Sequence, residues 1–232
     1  MAKSDDKSGP ASRGRAVGRP RASAAPASAD ARADIIAAAA KLFRLHGIAG
    51  ASVREIAADA GLKKASLYYY FTSKDEIVYA MIEDVLGPAL ATQKKLGMAP
   101  LSEAARLFLY LRADIELLCA ASYDCTWLLN HGDLGDARMK AYARQRKKLV
   151  SWLVARLKEG MAKGEFAPCD ATTAAQALLA ATEYSVTWAE RHDRGRIAAT
   201  AAEVATLLTR GVLAGGRSVE AVKAEVAAFP RS

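Results

Sequence analysis

The chain has 232 residues and a mass of 24.6 kDa, with 52% hydrophobic and 25% charged residues. Those proportions support a packed core and exclude a fibrous or wholly disordered protein. Its formal net charge is +8, and the surplus is uneven: residues 1–76 hold 13 Lys and Arg against 8 Asp and Glu, residues 77–232 hold 20 against 17. This leans toward a polyanionic partner for the N-terminal third, and is equally compatible with a solubilising bias. No run approaches the ~20 consecutive apolar residues of a membrane span, and no apolar segment follows the N-terminal charges, so a cytoplasmic protein without a membrane partner is expected. Cys119, Cys125 and Cys169 form no Cys-x-x-Cys pair and read as buried thiols, not as a disulfide scaffold.

Residues 1–28 are rich in Ala, Ser, Gly, Pro, Lys and Arg, and read as a disordered basic tail. Gly18-Arg19-Pro20-Arg21 within it is either a minor-groove arm or a plain linker. From Asp30 the pattern turns helical. Ile35, Ile36, Ala39, Leu42 and Phe43 repeat at helical spacing, with Gly47 as the stop. Ser52-Val53-Arg54-Glu55 is a Ser-x-x-Glu capping box that opens a second helix with Ile56, Ala57 and Ala60 inward. Gly61-Leu62 turns the chain into a third helix over about 63–70. Ser73-Lys74-Asp75-Glu76 is read as another capping box, starting a helix with Ile77, Val78, Met81, Ile82 and Val85 on its apolar face.

The remainder reads as helices punctuated by Gly and Pro, with no strand-like alternation. The expected fold class is all-α: a tail over 1–28, a three-helix helix-turn-helix DNA-binding domain over 29–76, and a larger helical domain over 77–232. In a helix-turn-helix, the second helix of the pair enters the DNA major groove. Ile56, Ala60, Leu62, Leu67 and Phe71 would fix the interhelical angle, leaving Lys63, Lys64, Ser66, Tyr68 and Tyr69 outward as donors for phosphates and base edges. Neighbouring helical residues lie ~100° apart, so at least one of Tyr68, Tyr69 and Tyr70 must pack inward.

Residues 30–86 resemble the DNA-binding domain of the TetR family of bacterial transcription repressors. The resemblance rests on Phe43 and Gly47, on Ser52-Val53-Arg54-Glu55-Ile56-Ala57, on Ala60-Gly61-Leu62, and on Leu67 through Asp75. It implies DNA contacts from Ser52, Arg54, Lys63, Lys64, Ala65 (through its backbone), Ser66, Tyr68, Tyr69, Tyr70 and Lys74, the last on a phosphate at the start of the fourth helix. Lys63 departs from the usual capping Ser or Thr, and Tyr70 from a frequent His or polar residue.

Small residues at helical spacing around 171–191 and 197–214 suit close antiparallel packing of two helices and pairing with a second copy. A homodimer reading a palindromic operator is expected, since one short helix selects a site poorly. The middle of the chain supplies apolar and aromatic residues that form either plain core or the walls of a cavity. The resemblance implies a small-molecule inducer there, with Tyr123, Trp127, Asn130, His131, Arg138, Glu183 and Tyr184 as candidate contacts. Glu183 would favour a cationic ligand and Arg138 or Arg144 an anionic one, so the inducer stays undefined. No cofactor is expected. His46, His131 and His192 are too scattered for a metal site, and no acid–base pair or phosphate loop recommends an enzyme. The reading is therefore a sequence-specific, ligand-responsive repressor, against a low-specificity architectural DNA-binding protein with no ligand and a steep salt dependence.

Overall fold

The computed structural model describes residues 31–121, 123, 136–189 and 193–229, with the backbone alone at 136–139. The expected tail at 1–28 and the candidate contacts Trp127, Asn130 and His131 lie outside the described residues. The elements are α1 (Ala31–Gly50), α2 (Val53–Asp59), α3 (Lys64–Tyr70), α4 (Lys74–Met98), α5 (Glu103–Ala120), α6 (Asp136–Ala162), α7 (Ala171–Ser185), α8 (Arg194–Val212) and α9 (Val219–Ala228). Among the described residues there is no strand; a single antiparallel bridge joins Phe166 and Leu213.

Ile35, Ile36, Ala39 and Phe43 form the buried stripe of α1. At Gly47 the backbone leaves the helix with φ 68° and ψ 166°, a region essentially closed to any residue with a Cβ. The following turn buries Ile48 and delivers the chain to α2. α4 starts on the Ser73 cap, where the Ser73 hydroxyl oxygen accepts from the Glu76 amide at 3.2 Å. The reciprocal half of the expected capping box is displaced. The Glu76 carboxylate accepts from the Thr72 amide (2.6 Å) and the Thr72 hydroxyl (2.9 Å), because that residue offers two donors where Ser73 would offer one. Those bonds hold the Glu76 carboxyl below its ordinary range.

α4 continues through residues 76 and 77, where a domain junction was expected. Ile77, Val78 and Met81 in its first half are fully buried, and this half packs against α1. The same rod then runs on along α5 and α6. One helix therefore belongs to both parts of the molecule. α5 is the centre of the larger part: α4, α6, α7, α8 and α9 all pack on it, around Leu107, Phe108, Leu111 and Ile115.

The expected close antiparallel pairing of the two small-residue helices is not observed. α8 lies along α5, with Ala201 and Ala205 fully buried and allowing the close approach. α7 seats Ala175 and Leu179 against α6 and α5 instead. Small residues report a close neighbour without naming it, and α5 is the neighbour of both helices.

α6 ends in a turn with Gly164 at φ 69°, closed by the Glu165 amide donating to the Gly160 carbonyl at 2.7 Å. The next residues are tied to α8 by the Ala167 amide on the Val212 carbonyl (2.9 Å) and the Ala214 amide on the Glu165 carbonyl (3.0 Å). Phe166 is thereby held fully buried, its ring laid on Gly160. A Cβ at residue 160 would overlap the Cδ2 and Cε2 atoms of that ring. Gly160→Ala is therefore expected to lose about 1–3 kcal/mol by overpacking, read as a lower urea midpoint; an unchanged midpoint contradicts the packing described here.

Candidate nucleic-acid interface

The helix-turn-helix is built by local chemistry. At the start of α2 the Ser52 hydroxyl oxygen accepts from the Glu55 amide (3.2 Å), and the Glu55 carboxylate accepts from the Ser52 amide (2.9 Å). The box seen in the sequence is thus complete, and its hydrogen bonds hold the Glu55 carboxyl below its usual range. Because Ser52 acts there as acceptor, its hydroxyl proton remains free to donate outward.

At the other end of α2, the Leu62 amide donates to the Ala57 carbonyl (2.8 Å) and the Gly61 amide to the Ala58 carbonyl (3.1 Å). With Gly61 at φ 68°, this is a Schellman turn, whose left-handed residue is most often glycine. It fixes the angle at which α3 leaves. Leu67 and Phe71 are buried beneath α3, with Ile56 and Ala57 of α2 in the same core. The Lys41 ammonium pairs with Asp59 at 2.5 Å and neutralises the acidic end of α2.

What α3 leaves outside is the candidate surface. Lys63, Lys64 and Ala65 are exposed, Ser66 is half-buried, Tyr68 is 42% exposed and Tyr69 86% exposed. Tyr70 is the inward member of the tyrosine run: it is half-buried, packs on the core, and sets its ring edge-to-face against Tyr69 with centroids 5.3 Å apart. The Lys64 ammonium sits 5.8 Å from the centre of the Tyr68 ring. Lys63 occupies the N-cap of α3 without a side-chain cap, so its charge extends outward. Arg54, on the exposed side of α2, makes no hydrogen bond or ion pair with any described residue.

Lys74 also has a role within the chain. It is half-buried, and its ammonium donates to the Ala51 carbonyl at 2.9 Å and the Ala49 carbonyl at 3.3 Å. Two of its three protons therefore clamp the start of α4 to the α1–α2 junction. The phosphate contact of Lys74 is implied by the resemblance alone; within the chain the ammonium is bonded to the carbonyls at the α1–α2 junction.

Among the described residues, the candidate ligand side chains Tyr123, Glu183 and Tyr184 line no common cavity. Tyr184 is 68% exposed on the outer side of α7, which corrects its placement in a cavity wall. Tyr123 lines a cavity of about 440 Å³ between α4 and α5, with Val85, Pro88 and Leu118. Arg138 belongs to α6, and its side chain is outside the described residues. Glu183 forms a bidentate pair with Arg146 of α6 (2.9 and 3.1 Å), and the same guanidinium donates to Gln176 at 3.0 Å. A lone Glu183 as cation ligand is thereby excluded in this conformation.

Beneath that pair lies a polar cluster that the sequence analysis did not single out. Asp114 is buried, and Thr182 Oγ1 lies 2.5 Å from Asp114 Oδ2 and 2.9 Å from the Leu179 carbonyl oxygen. One hydroxyl proton cannot serve two acceptors, and a proton on Asp114 supplies the second bond. The pKa agrees: burial, with the Glu183 charge adding to it, raises Asp114 to about 7, against the opposing bond from Thr182. Tyr110, fully buried one turn earlier, has its phenol pushed well above the ordinary range by burial and by Asp114. A signal was present: Asp114 interrupts the apolar stripe of α5 at the spacing of Leu107, Leu111 and Ile115.

Among the described residues, no group of three or more His, Cys, Asp or Glu is placed to hold a metal, and no helix is long and apolar enough to cross a membrane. Cys119 is buried as expected, whereas Cys169, just before α7, is exposed, which corrects its reading as a buried thiol.

An N-terminal helix-turn-helix with a basic, tyrosine-bearing outer face, joined by one continuous helix to a helical body, defines a class of DNA-binding protein. Residues 35–81 match the profile of the bacterial regulatory proteins of the tetR family, and residues 100–212 that of a tetracyclin repressor-like C-terminal domain. The chain belongs to the TetR family. It is 27% identical over 120 residues to the HTH-type transcriptional repressor KstR2 of Rhodococcus jostii, 52% of each chain. It is 34% identical over 68 residues to the HTH-type transcriptional regulator EthR of Mycolicibacterium smegmatis, 29% of this chain and 31% of EthR. The matches thus span about half or less of these curated relatives. The crystal structure of the TetR family regulator PfmR from Thermus thermophilus superposes with a TM-score of 0.65 at 25% identity, covering 76% of this chain and 97% of PfmR.

Proposed function

We propose that this protein is a homodimeric transcriptional regulator that binds a palindromic operator through α3 and is released from it by a small molecule bound in the helical body. Binding, not turnover, is its activity, and a DNA partner locates it in the cytoplasm. The observation that carries this reading is the outer face of the helix-turn-helix. Lys63, Lys64, Tyr68 and Tyr69 stand exposed on a helix whose angle is fixed by the Gly61 turn, beside Arg54 and the donor proton of Ser52.

Lys63 and Lys64 suit phosphate oxygens, while the Tyr68 and Tyr69 hydroxyls suit phosphates or base edges. Tyr70 acts through Tyr69, as the packed ring that orients it. A second copy supplies the second half-site, and the outward side of α7, the turn that follows it and α8, with Tyr184, Trp188 and Leu207 exposed, is the face that suits it. α4 is the lever. Its first turn is clamped by Lys74 to the α1–α2 junction while its second half packs on α5 and α6, so a shift of α4 in the body carries the helix-turn-helix with it. A ligand weakens operator binding by its differential affinity for the two positions.

Lys64→Ala is expected to weaken binding to all duplexes and to reduce the slope of log affinity against log salt by about 1. Tyr69→Ala is expected to weaken operator binding roughly tenfold without altering the fold, since Tyr69 buries almost nothing within the chain. Anisotropy titrations at several salt concentrations read both. Unchanged affinity in both variants overturns the assignment, and equal affinity of the wild-type chain for all sequences favours an architectural protein.

A further inference from the structure

A second cavity, of about 520 Å³, lined by neither Tyr123 nor Asp114, lies where the C-terminal half of α4 meets α5, α8 and α9. Its size is within the range of small-molecule sites. The walls are mainly apolar, with Leu96 from α4, Phe108 and Leu109 from α5, and Val226 and Phe229 from α9 and the residue beyond it. Charge on its lining is all of one sign: Lys95, Arg112 and Lys223, with no carboxylate among the lining residues.

Of the acidic groups on the neighbouring turns, Glu225 and Glu220 are committed elsewhere, while Glu116 pairs with the lining residue Arg112. Glu225 on α9 accepts from the Ser102 amide (2.7 Å) and hydroxyl (2.6 Å) at the start of α5, and Glu220 pairs with Arg210. Arg112 donates from its Nε to Glu116 at 2.7 Å, which leaves its terminal nitrogens for another acceptor. Lys223 makes no hydrogen bond or ion pair with any described residue. Lys223 and the terminal nitrogens of Arg112, set beside apolar walls, suit neither a neutral hydrocarbon nor an organic cation.

We propose that this cavity binds a single-chain amphiphilic anion, its hydrocarbon tail against Leu96, Phe108, Val226 and Phe229 and its acidic head on Lys223 and Arg112. Such a ligand bridges α4 to α9 and thereby acts on the lever helix at the end opposite Lys74. The binding site stands independently of the regulator reading; its effect on DNA rests on that reading.

The test is isothermal titration of the full chain with sodium decanoate, decan-1-ol and decyltrimethylammonium, each below its micellar concentration. Saturable decanoate binding at one site per chain is expected, with decanol at least tenfold weaker and the cation weaker still. Lys223→Glu, at a half-buried position of α9, is expected to lower decanoate affinity at least tenfold with an unchanged circular dichroism spectrum. Ala202→Leu, which fills the cavity from α8, is expected to lower affinity for both decanoate and decanol. Absence of decanoate binding, equal binding of all three probes, or indifference to both substitutions overturns the proposal. Lys223-sensitive decanoate binding by a chain that binds no operator supports the site and removes the regulator reading. Operator binding without decanoate binding does the reverse.

Discussion

Replacing Glu103 with Ala is expected to lower the unfolding free energy by about 3–5 kcal/mol, the range for removing one partner from a buried ion pair. The Glu103 carboxylate is 1% exposed and receives three cations: Arg106 at 2.5 Å, Arg156 at 3.0 Å and Lys163 at 3.3 Å. Arg106 and Arg156 are themselves largely shielded, so the variant strands charge that water cannot fully reach. Arg106 also donates to the Ala99 carbonyl (2.7 Å) and the Leu96 carbonyl (3.1 Å), closing the end of α4. Glu103 therefore orients the residue that anchors the lever helix to α5. In a chain of this size the loss corresponds to a fall in Tm of roughly 10 °C at fixed protein concentration. A variant within about 1 kcal/mol of wild type in urea denaturation shows that the cluster is solvated rather than structural.

Asp114→Asn is expected to change how stability depends on pH. The folded carboxyl titrates at about 7, above its ordinary 3.8, so between those values the folded chain holds a proton that the unfolded chain has lost. The contribution of Asp114 is thus greatest at low pH and is lost as pH rises toward 7. At about 1.4 kcal/mol per pKa unit the ceiling of this loss is roughly 4 kcal/mol. Asn keeps the shape and both hydrogen-bonding functions opposite Thr182 without the ionisation. The groups facing Asp114 are Tyr110 on its own helix, Thr182 and Glu183 on α7, and Arg146 on α6, and all remain in the variant. The stability difference between variant and wild type should therefore grow in the variant's favour from pH 4.5 to pH 8 in urea titrations. Parallel profiles would show that Asp114 is ionised or solvated in the folded state.

Features set by neighbours along the chain were legible in the sequence. The Ser52–Glu55 box, the break at Gly47 and the Gly61 turn each follow from residues within five positions of one another, and all three appear in the structure. The helical period also required one inward tyrosine, and Tyr70 is that residue. Features set by distant partners were not legible. Lys74 reaches carbonyls 23 and 25 residues away, and Thr182 meets Asp114 across 68 residues. The alanines of α7 and α8 announced close packing, yet only the fold shows that α5 receives both helices. Tyr184 was a candidate cavity-wall group because a tyrosine on a helix suits a polar wall, and only the fold shows that its side of α7 faces outward.

DNA recognition by α3 is tested most directly by selecting duplexes from a random-sequence library with the wild-type chain and, in parallel, with the Lys64→Ala/Tyr69→Ala double variant. The expected result is enrichment of an inverted repeat with two half-sites at fixed spacing by the wild-type chain, bound by an even number of subunits, and no such enrichment by the double variant. Recovery of the same repeat by both proteins, or of no preferred sequence by the wild-type chain, would contradict it.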